Sequence, residues 1–196
     1  MSKNRTPERV AKIERVLHYR QKGLTLILSN IHDPHNVSAI YRSCDAFGVP
    51  EVQLHYTTTA FPTLGAKTSA SARKWVKTRR HTDMQTMTGT LHNEGYRILA
   101  TSCSPQAKSL YEYDLTSPVA FVLGNEHSGV EESFLPLVDG EVFIPMYGMI
   151  QSFNVSVAAA ILLAEAARQR NIADMYTNSA YTDEEMATML EKWLTK

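Results

Sequence analysis

The chain lacks the features that most quickly assign a protein to a class. It has only two cysteines, no excess of either charge, and no apolar run long enough to span a bilayer. Two thiols, Cys44 and Cys103, both in apolar-patterned segments, exclude a disulfide scaffold and read as reduced side chains of a cytosolic protein. Twenty Lys and Arg against twenty Asp and Glu exclude a global polyelectrolyte. The longest apolar candidate, Val155–Ala164, ends at Glu165 and is too short to cross a membrane; no secretory leader pattern is seen. The expectation is a soluble, cytoplasmic protein. There is no G-x-G-x-x-G after a strand, no G-x-x-x-x-G-K-[ST] and no G-x-S-x-G. Gly124 and Gly129 have phosphate-loop spacing, but Val130-Glu131 follows where Lys-Ser/Thr is needed. His32-Asp33-Pro34-His35 contains imidazoles, but Pro34 denies them a helical spacing and no further ligands cluster nearby, so no metal site is expected.

What is present is enough apolar content, 43%, for one compact domain spanning residues 1–196. Charge is neutral in sum but patchy. Residues 1–22 carry Lys3, Arg5, Arg9, Lys12, Arg15, Arg20 and Lys22 against Glu8 and Glu14. Arg73, Lys74, Lys77, Arg79 and Arg80 form a second basic cluster, while the tail after Arg170 is acidic. Basic patches on a neutral chain suit an anionic partner on one face.

Thr6 and Pro7 open an amphipathic helix whose apolar stripe is Val10, Ile13 and Leu17, with Arg9, Lys12 and Arg20 on the adjacent stripe. Leu24–Ser29 is an almost continuous apolar strand, the pattern of a parallel sheet covered on both faces. A loop broken by Pro34 follows, then a helix capped by Asn36 or Ser38 and ended by Gly48, then a strand over Glu51–Tyr56. Further strands are expected at Tyr96–Ser102, Val119–Gly124 and Val142–Ile144, with helices at Met84–Asn93 and after Ser152/Asn154. A short helix runs to Val138. Thr182-Asp183-Glu184-Glu185 caps a last helix with Met186, Met189, Leu190 and Trp193 on its apolar face. Alternating strands and helices predict an α/β fold with a mainly parallel sheet flanked by helices, plus N- and C-terminal helical extensions.

Three loops at carboxyl ends of predicted strands then stand out: Asn30–Arg42, Gly124–Gly129 and Ile144–Asn154. Each sets polar groups on an apolar framework, where open α/β sheets bind ligands. Taken singly, each reads equally well as capping of an ordinary crossover helix. Together, NIHDPHNVSAIYRSCDAFGV, FVLGNEHSGV and IPMYGMIQSFNVSVAAAILLAEAARQR resemble the three signature motifs of the SpoU/TrmH family of RNA 2′-O-ribose methyltransferases. TSASARKWV (68–76) and the terminal KWLTK extend the resemblance to nearly the whole chain. It is nearest the members that methylate guanosine 18 in the D-loop of tRNA, not the shorter wobble-base members.

The resemblance implies a deep C-terminal trefoil knot over about 96–170, with 171–196 as a helical tail. It implies S-adenosylmethionine bound by Thr101, Leu123, Gly124, Ile144, Met146, Ser152, Phe153 and Asn154. Phe153 departs from the Leu usual in the family. The implied catalytic set is Arg42, Asn36, Glu126, Ser152 and Asn154. Glu126 and Asn154 are expected to hold Arg42 and the methionine end of the cofactor, and Asn36 to shape the loop. A homodimer is implied in which Arg42 of one subunit faces the cofactor of the other. Because arginine stays protonated, Arg42 is read as holding the 3′-side phosphate and the developing negative charge. Arg9, Lys12, Arg20, Arg168 and Arg170 are the expected tRNA phosphate contacts. The competing expectations are the same chemistry at another tRNA position or on rRNA, and a non-catalytic RNA-binding protein. A hydrolase built on His127-Ser128 lacks the elbow it needs.

Overall fold

The computed structural model describes residues 5–58, 60–62 and 72–196. At its centre is a seven-stranded sheet of order β3-β2-β1-β6-β4-β7-β5, in which every pairing is parallel. The strands are β1 (Leu24–Ser29), β2 (Glu51–His55), β3 (Lys77–His81), β4 (Arg97–Thr101), β5 (Lys108–Ser109), β6 (Val119–Leu123) and β7 (Gly140–Phe143). Every residue of the two neighbours β1 and β6 is buried, which is why both read as nearly continuous apolar runs.

The two faces still separate by the strand's two-residue period. Leu24, Leu26 and Leu28 of β1, with Val119, Phe121 and Leu123 of β6, face one core layer. That layer is closed by α2 (Pro34–Ala46) and α5 (Val155–Ile172), which contribute Val37, Ile40, Tyr41, Ala159 and Leu163. Ile27, Ala120 and Val122 face the other layer, closed by Met87 and Leu91 of α4 (Met84–Asn93) and by Phe134 in a 3₁₀ turn over Glu132–Leu137. The terminal helices α1 (Pro7–His18) and α6 (Asp183–Leu194) pack on each other through Ile13, Leu17, Trp193 and Leu194, joined by Val10 and Met189. Their caps are Thr6 and Thr182, the latter in a reciprocal capping box with Glu185.

Several expectations need correction. The helix after β1 starts at Pro34, capped by Asp33, whose carboxylate accepts from the His35 N–H at 2.8 Å. Proline at the first helical position is pre-organised rather than disruptive, so Asn36 lies inside the first turn and not outside it as the cap. The basic cluster contains an edge strand, β3, whose Arg79 pairs with Glu51 on β2 at 2.8 Å, and with Glu94 at 3.0 Å. The two-residue β5 is not expected from the sequence; the short helix before β7 is present over Glu132–Leu137 and is 3₁₀. The stretch 68–76 falls mostly outside the described residues; only Ala72–Trp75, the short helix α3, and Val76 are seen.

Two of the expected RNA contacts are interior braces. Arg20 is fully buried, donating to the Val49 carbonyl at 2.9 Å and to Asp45 at 2.5 Å. Arg170 is 1% exposed and donates to the carbonyls of Leu115 (3.0 Å), Gly23 (2.7 Å) and Ser117 (3.1 Å), and more distantly to Gln21. Those carbonyls end turns that feed the sheet, and a five-donor guanidinium is the side chain that can satisfy several at once. Neither arginine is available to a phosphate. Arg170→Met should therefore cost on the order of 3 kcal/mol or more, since it strands buried carbonyls. An unchanged urea midpoint for this variant would contradict the bracing role.

Candidate active site at the carboxyl ends of the strands

At the carboxyl ends of β4, β6 and β7 lies a cleft of about 580 Å³. Thr101, Leu123, Gly124, Ile144, Met146, Ser152, Phe153 and Asn154 all line it. A larger hollow, about 910 Å³, sits at the opposite ends of the strands. The smaller one is the candidate site, because the loops that follow β4, β6 and β7 meet there over an apolar floor. Thr101 donates its hydroxyl to the Val122 carbonyl at 2.9 Å, so its polar group is committed to the sheet. Ser152 is exposed at the rim and forms no hydrogen bond among the described residues. Phe153 is half-buried in the wall.

The turn after β6 is set by a close backbone approach. Asn125 and Gly129 exchange two backbone hydrogen bonds, each 2.9 Å, which folds the turn directly over Gly124. A Cβ at residue 124 would lie 2.0 Å from the Gly129 carbonyl oxygen, so only glycine fits. Gly129 itself has φ +70°, a conformation glycine adopts without strain. Asn125 accepts from the His127 N–H and donates to the Asn30 carbonyl, both at 2.9 Å, pinning the turn against the end of β1.

This turn delivers Glu126 to the loop between β1 and α2. Its carboxylate accepts from the backbone N–H of His32 (3.0 Å) and of Asp33 (3.2 Å), and from the Asn36 side-chain amide (2.8 Å). Asn36 in turn accepts from the Asn154 amide at 3.1 Å. Asn154 caps α5 by accepting from the Ser156 N–H at 2.9 Å and hydroxyl at 2.6 Å. One hydrogen-bonded line, Glu126–Asn36–Asn154, thus joins all three loops. Partial burial pushes the Glu126 carboxyl up, but the bonds from Asn36, His32 and Asp33 outweigh it and hold the group below its ordinary value.

Arg42 is not on that line. It is exposed, six residues beyond Asn36, hence about 9 Å farther along α2 and on another side of it, and it does not line the cleft. Within this chain the group that Glu126 and Asn154 both hold is Asn36, not Arg42. Arg168 is exposed but forms a two-point pair with Glu165, at 2.7 and 2.8 Å; Lys12 is exposed and Arg9 half-buried. Among the described residues no group of three His, Cys, Asp or Glu could hold a metal.

Asn30 is a site residue that the sequence reading does not single out. It is 4% exposed with φ +47°. Its side chain accepts from the N–H groups of Thr57 (3.0 Å) and Thr58 (3.2 Å) and donates to Glu131 at 2.5 Å. A signal exists: asparagine immediately after a buried strand is the non-glycine residue that best tolerates positive φ.

A model of the SpoU rRNA methylase family matches residues 23–164. The tRNA (guanosine(18)-2′-O)-methyltransferase of Thermus thermophilus is 43% identical, over 99% of this chain and all of its own length. That of Escherichia coli K12 is 40% identical, over 94% of this chain and 81% of its own. Among solved structures, the TrmH/SpoU tRNA modifying enzyme of A. aeolicus matches with a TM-score of 0.90 at 35% identity, covering 96% of this chain and 95% of that one.

The lowered Glu126 carboxyl makes a pH prediction. A group whose folded pKa lies below its unfolded value stabilises the fold above the unfolded value and loses that contribution as pH falls through the folded one. The stability gap between wild type and Glu126→Gln should therefore be full at about pH 6 and shrink below about pH 4.3; a gap that instead grows on acidification contradicts it. All three loops that this carboxylate ties together, and the strands they leave from, lie inside the matched segment, and the chain belongs to the SpoU rRNA methylase family.

Proposed function

We propose that this protein transfers the methyl group of S-adenosylmethionine to the ribose 2′-hydroxyl of guanosine 18 in the D-loop of tRNA. The observation that carries the reading is identity running end to end with relatives named for that reaction, terminal helices included. The cleft suits the cofactor. Its volume is in the range of small-molecule sites and its walls are apolar at Leu123, Ile144 and Phe153. Thr101, Gly124, Met146, Ser152 and Asn154 complete the cofactor-binding set. The bound cofactor supplies an activated methyl carbon, so the chain's residues have only to place a hydroxyl in line with it and stabilise the charge that develops.

In this reading Glu126 orients Asn36, and Asn36 with Asn154 fixes the cleft wall, while Arg42 binds the phosphate 3′ to the target ribose. Arg42 is exposed and does not line its own cleft. That supports a homodimer in which each site takes Arg42 from the partner. Tyr147 and Met149, 98% and 99% exposed beside the cleft, are apolar surface that such a partner covers. The insertion of β6 between β1 and β4, and of β7 between β4 and β5, supports a knotted path over residues 96–170. No described helix is long and apolar enough to cross a membrane, in keeping with action on tRNA in the cytoplasm. Arg9, Lys12 and Arg168 remain the candidate phosphate contacts; Arg168 must exchange Glu165 for RNA.

Unmodified tRNA incubated with the protein and S-adenosylmethionine, then mapped by mass spectrometry, should carry one added methyl on the ribose of guanosine 18. Methylation elsewhere in tRNA, or only of rRNA, would replace this reading with the same chemistry on another target. Arg42→Lys keeps the charge but loses the planar fork, so turnover should fall roughly a hundred-fold with cofactor affinity unchanged. Near-wild-type turnover would remove Arg42 from its role.

A further inference from the structure

A hollow of about 910 Å³, larger than the proposed methyl-transfer cleft, lies at the amino ends of the strands. Strand β6 runs between the two, with Pro118 just before it in the wall of the hollow and Leu123 at its end in the wall of the cleft, a span of roughly 16 Å. Its walls come from the starts of β2 and β3, from α3 (Ala72–Trp75) and from α6. Its acidic wall residues are already neutralised: Glu51 by Lys77 at 2.5 Å and Arg79 at 2.8 Å, and Glu94 by Arg79 at 3.0 Å. Arg73, Lys74, Lys192 and Lys196 line the same cavity and form no ion pair among the described residues. Uncompensated cations gathered in a concave wall raise the local concentration of an anion.

The cations surround an indole pair. Trp75 and Trp193 have ring centroids 4.8 Å apart, and the Lys196 ammonium lies 5.6 and 5.3 Å from them. Arg20 is wholly buried, lies 5.2 Å from the Trp193 ring and lines the same hollow; its Nε has no hydrogen-bond partner among the described residues. Burial, and then the like charges of Lys192 and Arg20, hold the Lys196 ammonium below its ordinary pKa, as expected where positive charge is crowded. Arg9 of α1 sits over Trp75 at 6.0 Å, which joins the basic face of the first helix to this cavity.

We propose that this cavity is a second RNA-binding site, in which Arg73, Lys74, Lys192 and Lys196 hold backbone phosphate of the substrate beside the Trp75–Trp193 pair. The inference rests on the tRNA reading given above. Phosphate contacts of this kind position a polynucleotide without reading its sequence, and the indole pair beside them, packed into the α1–α6 core, holds the cations in place. RNA held here, a strand length from the methyl-transfer site, sets the orientation in which the distal ribose is presented.

Trp75 and Trp193 are the chain's only tryptophans, so intrinsic fluorescence reports on this cavity directly. The test compares wild type with Lys74→Gln/Lys192→Gln, both exposed positions, after matching their thermal midpoints. Titration with tRNA should change the wild-type emission. In the variant the Kd for tRNA should rise about ten-fold, and the slope of log K against log salt should fall by roughly 0.7–0.9 for each cation removed. S-adenosylmethionine affinity should stay the same. An unchanged Kd and slope would overturn the proposal. So would emission that responds to GMP, inorganic phosphate or polyglutamate but not to tRNA, which would make this a small-anion or acidic-protein site. Methyl transfer assayed on the same samples separates the two readings. Transfer with silent tryptophans and an unaffected variant removes the cavity alone; a tRNA response lost in the variant, without methyl transfer, removes the enzymatic reading and leaves the cavity standing.

Discussion

The site depends on one carboxylate at the start of one helix. The N–H groups of His32 and Asp33 precede α2 and have no partner within it, and Glu126 accepts from both. A negative group there is favoured twice, by hydrogen bonds that would otherwise be unmade and by the positive end of the helix dipole. An ionised carboxylate has about four acceptor positions and no donor, so it can also take the Asn36 amide without presenting a hydrogen to a backbone N–H. Through Asn36 the constraint reaches Asn154, the cap of α5. Loops separated by about ninety and thirty residues of chain are thereby held as one wall.

That arrangement needs a rigid frame on either side of it. Gly124 lets the turn carrying Glu126 fold back onto itself, and Asn125 and Asn30 lock that turn to the end of β1. At the other end of the strands, Arg20 and Arg170 bind the carbonyls that close the incoming turns. The sheet thus has a braced, basic amino end and a hydrogen-bonded carboxyl end, with fully buried β1 and β6 between them. Parallel strands make this division natural, since every strand enters at one edge and leaves at the other.

Much of this is legible in the chain. VAFVL is apolar without interruption and LTLILS almost so, and both suit central strands; Thr182 with Glu185 announces the last helix to the residue. Other features are hidden for identifiable reasons. Pro34 reads as a break although it is the first residue of α2, because proline's meaning turns on whether the residue before it caps. KTRRH is too polar to suggest a strand, and it is one only because β2 offers an edge and Glu51 a counter-charge. Arg20 and Arg170 read as surface residues because arginine usually is one; their burial depends on carbonyls from Val49 and Leu115, distant in sequence. The cleft residues are named by family resemblance rather than by periodicity, and the strand order that brings β6 beside β1 leaves no trace in any local pattern.

The central claim is that Glu126 acts by holding Asn36, so that the two residues form a single positioning unit for the cleft. A double-mutant cycle built from Asn36→Ala, Glu126→Gln and the combination, read by S-adenosylmethionine binding, measures that coupling directly. Either single change should weaken binding, and the double variant should be scarcely worse than the poorer single, a coupling on the order of 1 kcal/mol or more. Losses that simply add would contradict it and make the two residues independent contributors.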